Sequence, residues 1–207
     1  MTIKKEKVSN AELVTTVKKC VRDFKSTYDS FYAADLKERK LALKPGAKAP
    51  FDDGKIYDPQ RRELCKEELR KIRAVGSDVI DSAIAETRRD MMEAPTPEAV
   101  AALTALSLVG DALTAEDLNN AYEHYGDNYL SCQALNGLAD KSGNKGHKRS
   151  HGLTTTLAGL EDLKRTVSRL DLIRAENGGT SDARINLVIR DLESNWGHYG
   201  DDEEANA

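Results

Sequence analysis

Residues 14–31 read VTTVKKCVRDFKSTYDSF, and the apolar side chains of this stretch recur at alternating spacings of three and four. Such spacing places the apolar side chains on one face of an α-helix, like the a and d positions of a coiled coil. The residues of this seam are Val14, Val17, Val21, Phe24, Tyr28 and Phe31. The stretch therefore predicts a long helix with one apolar face, and we expect the seam to bind a partner.

The sequence around this seam predicts a second long helix. The first helix starts at a capping box that begins with Ser9, and the helix ends near Leu43. An exposed connection follows over residues 44–57, and Asp58 then caps the second helix. The second seam consists of Cys65, Leu69, Ile72, Gly76, Val79 and Ala83, widened by Leu64, Ile80 and Ile84. The simplest arrangement is an antiparallel hairpin over residues 1–95. A parallel self-dimer through the first seam is the alternative.

Residues 96–140 predict a module of three short helices. Thr96 caps the first, Thr114 opens the second, and Asp127 or Asn128 caps the third. The module contains seven Asp and Glu residues and no Lys or Arg. A DNA-reading helix needs cations to hold the phosphate backbone, so this module is not expected to read DNA.

Four aromatic residues outside the first helix are candidates for partner contacts. Tyr122, Tyr125 and Tyr129 recur at spacings of three and four, either as core residues or as a partner-binding patch. Trp196, the single tryptophan, either closes a C-terminal core or anchors a partner.

A basic segment over residues 141–152 follows the acidic module and predicts a flexible linker, because Gly, Ser and cations pack no core. Its cations are Lys141, Lys145, Lys148 and Arg149. A weak contact with nucleic-acid phosphates is the alternative interpretation of these cations. His147 and His151 stand four residues apart, but their Gly, Lys and Arg neighbours disfavour a metal site, and we expect none.

The last part of the chain, residues 153–207, predicts a second helical hairpin with an acidic tail. Its first helix runs from about Thr155 to Asn177. The apolar face of that helix comprises Leu157, Leu160, Leu163, Val167, Leu170 and Ile173. The apolar face of the second helix comprises Ile185, Val188, Ile189, Leu192 and Trp196.

Composition excludes several classes of protein. The 207 residues carry a formal charge of −4, are 32 % charged and only 5 % aromatic, as in an all-α protein rather than a basic nucleic-acid binder. No apolar run is long enough to span a membrane, and the first residues lack the apolar stretch of a signal peptide, so we expect a cytoplasmic protein that is not secreted. The three cysteines form no C-x-x-C pair. Phosphate-loop, dinucleotide and nucleophile-elbow motifs do not occur, so we expect neither a cofactor nor catalysis.

The layout of residues 10–140 resembles a known class of proteins. The long predicted hairpin, the Pro95-Thr96-Pro97 start and the leucines between Leu118 and Leu138 are similar to small helical proteins from the head-gene cluster of tailed bacteriophages. The resemblance implies a scaffolding or head-associated role without catalytic residues. The acidic C-terminal tail departs from the basic segment with which such scaffolds dock on coat protein.

Charge alternates along the chain in blocks. Residues 1–95 carry a net charge of +4, residues 96–140 carry −7 and residues 141–151 carry +4. Such blocks favour docking on a complementary surface or head-to-tail self-association. The charge blocks therefore predict a non-enzymatic interaction protein. The resemblance implies a role in virion head assembly, in which the chain binds a capsid-type protein or itself as a homo-oligomer. The alternative is an inhibitor whose acidic module blocks the basic nucleic-acid-binding groove of a host defence enzyme.

Overall fold

The computed structural model describes residues 10–48, 50, 54–168, 170, 187 and 190. Most of these residues lie in six α-helices, and none of them lies in a β-strand, which confirms the all-α prediction. The helices are α1 (Asn10–Leu41), α2 (Pro59–Met91), α3 (Pro97–Val109), α4 (Ala115–Tyr125), α5 (Tyr129–Lys141) and α6 (Gly152–Ser168). Short 3₁₀ turns follow α3 at Gly110–Ala112 and α5 at Lys145–His147.

Backbone contacts divide the chain into two compact units. Unit 1 comprises Met1–Asp81 and Asp162–Ala207, and unit 2 comprises Ser82–Glu161. The division falls inside α2 and inside α6, whereas the sequence places its boundaries at residues 95, 140 and 152. Helices α3, α4 and α5 all belong to unit 2.

The apolar seam of α1 forms the core of unit 1. Val14, Val17, Val21, Phe24 and Tyr28 are buried, and Phe31 is half-buried. Cys20, on the same side of α1, donates a hydrogen bond from its Sγ to the carbonyl oxygen of Ile72 at 3.0 Å. The prediction that this seam binds a partner is therefore corrected, because the chain itself already covers it.

Helix α2 lies close to α1 and runs in the opposite direction along their shared face. Cys20, early in α1, contacts Ile72 far along α2, whereas Asp35, late in α1, accepts a hydrogen bond from the backbone N–H of Asp58 just before α2. The approach is closest at Gly76, where an added Cβ would lie 2.8 Å from the Cys20 Sγ atom. A glycine is therefore needed at this position for α1 and α2 to pack.

The buried stripe of α2 differs from the predicted seam in its second half. The buried residues are Cys65, Leu69, Gly76, Ile80, Ile84 and Thr87, whereas the predicted seam positions 79 and 83 are only half-buried. A straight α-helix has 3.6 residues per turn, so a buried face drifts by about 20° per heptad from a strict 3.5-residue repeat. The side chain of residue 64, predicted to widen the seam, is exposed because it lies about 100° around the helix from Cys65, on the side away from Leu69.

The connection between α1 and α2 is only partly exposed. Residues 42–48 are exposed as predicted, but Ile56 is buried in unit 1. The Tyr28 hydroxyl donates a hydrogen bond to the carbonyl oxygen of Gly54, and the Gly54 N–H donates to the Tyr32 hydroxyl at 3.3 Å. The expectation of an exposed connection over residues 44–57 is therefore wrong for residues 54–56, where α1 tyrosines hold Gly54 in place.

Helix α6 begins at Gly152, three residues before its predicted start. Leu160, Leu163, Val167 and Leu170 are buried, as their spacing predicts. Within unit 1, the Lys164 ammonium lies 2.5 Å from the Asp81 carboxylate of α2. The predicted continuation of this helix to Asn177, the second helix of the C-terminal hairpin and the acidic tail lie outside the described residues.

Local hydrogen bonds fix the helix ends of unit 2 as the sequence predicts. The Thr96 side chain accepts from the N–H of Ala99, and Thr114 and Asp117 form a reciprocal capping box. Asn128, one of the two predicted candidates, caps α5. The core of this unit consists of Leu113, Leu118, Ala121, Tyr122, Cys132, Leu135, Leu138 and Ala139.

Candidate protein-binding surface

Helix α3 exposes apolar side chains where a surface helix ordinarily carries charge. Only one of its thirteen residues, Glu98, is charged. Leu108 is 83 % exposed and Val100 is 50 % exposed. A helix that is apolar on all sides is typical of a buried position, yet α3 lies at the surface of unit 2.

The opposite side of α3 packs against the core and fixes the orientation of the helix. Ala99 is buried, and Leu103 and Leu106 contact the core of unit 2. Pro97 occupies the first turn and Gly110, with a φ of 59°, ends the helix. Both ends are therefore set by local sequence, and among the described residues only one side of this apolar helix packs against a core.

We define the α3 face as Val100, Ala101, Thr104, Ala105 and Leu108, all of which are exposed. Neighbouring positions in this set are one or three residues apart and alternate positions are four apart, so all five share one side of the helix. The Thr104 hydroxyl donates to the Val100 carbonyl oxygen at 2.7 Å, so the Thr104 methyl group is what this side chain adds to the exposed surface. The α3 face is therefore apolar along the length of the helix.

The charged Asp and Glu side chains of residues 96–140, which include α3, meet no Lys or Arg within that stretch of sequence. Glu98 lies in the first turn of α3 and Asp111 follows its last turn, and both are exposed. Between residues 96 and 140 the chain carries seven carboxylates and no Lys or Arg. One of them, Asp117, has a lowered pKa because the hydroxyl and the backbone N–H of Thr114 donate to it, so it belongs to the helix cap.

The three tyrosines predicted as an alternative patch do not form one. Tyr122 is buried, and its hydroxyl donates to the Asn136 Oδ1 at 2.7 Å. Burial raises the pKa of Tyr122. Tyr125 and Tyr129 are half-buried, and the Tyr129 ring meets the His151 ring edge-on with 5.6 Å between centroids. These residues serve mainly as core and support, as the core interpretation of their spacing predicts.

The basic segment, predicted as a flexible linker, makes tertiary hydrogen bonds within unit 2. The backbone N–H of Arg149 donates to the Asn136 Oδ1 at 3.0 Å, and the Asn136 Nδ2 donates to the Arg149 carbonyl oxygen at 3.1 Å. Asn144 donates to the carbonyl oxygen of Leu113 at 2.9 Å. The sequence hides this because single asparagine side chains, rather than an apolar pattern, attach the segment to unit 2.

The four cations of this segment have different surroundings. Lys141 and Lys145 are exposed. Lys148 lies 2.6 Å from the Asp140 carboxylate, and the Arg149 guanidinium stacks over the Tyr122 ring at 5.0 Å from its centroid. Two of the four predicted phosphate contacts are therefore engaged within unit 2, which weakens the case for a phosphate-binding cluster.

A cavity of about 470 Å³ lies beside Arg149 and is also lined by Cys132 and His151. The His151 Nδ1 accepts from the N–H of Leu153 at 3.1 Å, so its Nε2 carries the proton that is donated to the Asp127 carbonyl oxygen at 2.8 Å. Both imidazole nitrogens are therefore used at the start of α6. Burial raises the pKa of the Cys132 thiol, although the nearby Arg149 lowers it in part.

A buried carboxylate in unit 1 is fully engaged in structural contacts. Asp35 is 2 % exposed and accepts from the N–H groups of Tyr57 at 3.2 Å and Asp58 at 2.9 Å, and from Arg39 at 2.9 Å. Burial raises its pKa, but these donors outweigh burial and lower it. Asp35 thus attaches the connection to α1 and is not available as an acid or base.

The remaining candidate sites in the described part of the chain are few. Cys20, Cys65 and Cys132 are buried free thiols, and burial raises the pKa of Cys65 to about 11. Among the described residues, no group of three or more His, Cys, Asp or Glu side chains is arranged to hold a metal ion, and no helix is long and apolar enough to cross a membrane. Trp196, the other predicted partner anchor, lies outside the described residues.

Comparison of the chain with protein-family models, with curated proteins and with solved structures finds no match.

Proposed function

We propose that this chain is a non-catalytic protein-binding protein that takes its partner on the α3 face. The observation that carries the proposal is the exposure of Leu108, 83 %, on a helix whose other side is packed into the core of unit 2. Contiguous apolar surface that is exposed on a folded chain marks a site of protein–protein interaction.

The proposed binding surface differs from the one that the sequence predicts. The seam from Val14 to Phe31 is used by the core of unit 1, whereas the α3 face has no partner among the described residues. The proposed binding surface therefore moves from α1 to α3, while the proposed class of function, protein binding, stays the same.

For the biological setting we propose virion head assembly, with a capsid-type protein as the partner. The support is the resemblance in layout between residues 10–140 and helical proteins of phage head-gene clusters. The protein would then act in the host cytoplasm or on the virion, and the basic segment over residues 141–152 would add little to binding.

A second candidate is an inhibitor that occupies the basic nucleic-acid-binding groove of a host defence enzyme. It is supported by the single-signed charge of residues 96–140, which have seven carboxylates and no Lys or Arg. Such a surface competes with nucleic acid for a cationic groove. Inhibition of a purified nuclease by the full chain, weakening as salt is added, would favour this candidate over head assembly.

Sedimentation of the full chain with a candidate coat protein, chosen from the products of neighbouring genes, tests the first proposal. We expect the wild-type chain to form a complex and Leu108→Asp to bind at least tenfold more weakly. A tenfold loss of affinity corresponds to about 1.4 kcal/mol of binding free energy. Leu64→Asp is the matched control, because Leu64 is 57 % exposed on α2. Equal binding by both variants would contradict a role of the α3 face.

A further inference from the structure

The shape of the α3 face suits a helix as its ligand. The helix has thirteen residues and is therefore about 20 Å long. Ala101 and Ala105 lie beside the larger Val100 and Leu108, so small and large side chains alternate along the face. Such a row of small side chains between larger ones forms the groove into which the ridge of a second helix packs.

The charges identify the sign of that ligand. Carboxylates stand at both ends of the face, Glu98 at its start and Asp111 beyond its end, and no Lys or Arg occurs between residues 96 and 140. A second copy of the same face would bring like charges together, which disfavours self-pairing through α3. A ligand with Lys or Arg at the edges of its apolar stripe would instead meet charges of opposite sign.

We propose that the α3 face binds a cationic amphipathic helix of another protein, with apolar side chains against Leu108 and Val100 and with Lys or Arg near Glu98 and Asp111. This inference rests on the proposed function and adds the chemistry of the partner segment. It belongs to the helix-in-groove mode of recognition, in which residues spaced by three and four anchor the ligand.

Two designed peptides test this inference on the full chain. Both are amphipathic helices of about five turns with the same leucine stripe, one with lysine and the other with glutamate on its polar side. We expect the leucine–lysine peptide to bind the wild-type chain and to bind at least tenfold more weakly to Leu108→Asp, with Leu64→Asp as the control that leaves binding unchanged. We expect no binding of the leucine–glutamate peptide.

Charge reversal tests the predicted sign independently. The double variant Glu98→Lys, Asp111→Lys should bind the leucine–lysine peptide about tenfold more weakly, because two attractive contacts become repulsive. Glu67→Lys, an exposed reversal on α2 in unit 1, is the matched control and should have no effect. Added salt should weaken wild-type binding, because it screens attraction, and should not weaken binding by the double variant, in which it screens repulsion.

The outcomes separate this inference from the proposed function. Equal affinity for the two peptides, with both lost in Leu108→Asp, would keep the α3 face as a binding surface and overturn its preference for a cationic ligand. Peptide binding that is insensitive to Leu108→Asp would overturn both. Formation of a stable dimer by the wild-type chain that Leu108→Asp abolishes would also overturn the inference, because the ligand would then be a second copy.

Discussion

Helices α1 and α3 both carry rows of apolar side chains, but the chain covers the row on α1 and leaves the α3 face exposed. In α1, Val17 and Val21 are 0 % exposed, and charged residues occupy the other side of the helix. In α3, apolar residues occupy both sides, so burial of one side in the core leaves the other in solvent. A helix with one apolar face therefore packs that face into the core. A helix that is apolar on more than one face has apolar surface left over, which indicates a second contact outside the core.

The largest expected effect comes from placing the same charge on both helices. Val21→Asp puts a carboxylate into the core of unit 1 and should lower the free energy of unfolding by more than about 4 kcal/mol. Val100→Asp, on the exposed α3 face, should cost less than about 1 kcal/mol, mainly through helix propensity. Urea unfolding followed by circular dichroism measures both. Similar losses in the two variants would show that the two rows do not differ in burial.

The buried carboxylate of α1 gives the next largest effect. Asp35→Asn removes the charge that accepts from two backbone N–H groups and from Arg39, and should cost about 2–4 kcal/mol. Asp29→Asn is the matched control on the same helix, because Asp29 is half-exposed and pairs only with Lys25 in a contact worth at most about 1 kcal/mol. A loss no larger than that of the control would mean that Asp35 contributes no more than a surface ion pair.

Asp35 also predicts a pH dependence. Its pKa is lowered in the folded chain, so its contribution to stability is complete above the ordinary pKa of about 4 and disappears as pH falls through the lower folded value. The stability difference between the wild type and Asp35→Asn should therefore be constant near neutral pH and should shrink below about pH 4. A difference that stayed constant down to pH 2 would contradict the lowered pKa.

Alanine substitutions of two glycines should change the stability less, and in opposite directions. Gly76→Ala would place a Cβ 2.8 Å from the Cys20 Sγ atom between α1 and α2, which should cost about 1–3 kcal/mol. Gly137→Ala, on the exposed side of α5 with no neighbouring atom within 4 Å of the new Cβ, should stabilise by about 0.5–1 kcal/mol. Thermal unfolding of the two variants is the measurement, and a stabilising Gly76→Ala would contradict the close approach of α1 and α2.

The starts of α3, α4 and α5 were the most predictable part of the fold, because they depend on neighbouring residues, whereas α6 begins three residues before its predicted start. Thr96, Thr114 and Asn128 cap their helices through hydrogen bonds that reach only three residues along the chain. The burial of the α1 seam could be predicted from the spacing of its apolar residues, but the spacing does not say what covers the seam. A row of residues three and four apart is satisfied equally by the same chain and by a second one, so the sequence left α1 open as a binding surface.

The α3 face and Asp35 were missed for different reasons. The helix from Pro97 to Val109 has no apolar period, so sequence gives no direction for its buried side, although one charged residue in thirteen was an available signal. Asp35 stands at the position where the apolar spacing of the α1 seam ends, so the sequence gives no sign that this carboxylate is buried. Its donors at Tyr57 and Asp58 follow it by more than twenty residues and are backbone groups, which no side-chain pattern reveals.

The most direct test of the central claim, that the α3 face is free to bind, is maleimide labelling of Leu108→Cys in the folded full chain. The three native cysteines are buried, and burial raises their thiol pKa, so the wild type should react only after unfolding. We predict that the introduced thiol reacts at the rate of an unprotected cysteine. An introduced thiol as protected as Cys20 of α1 would show that the chain covers this face itself, and would contradict the account.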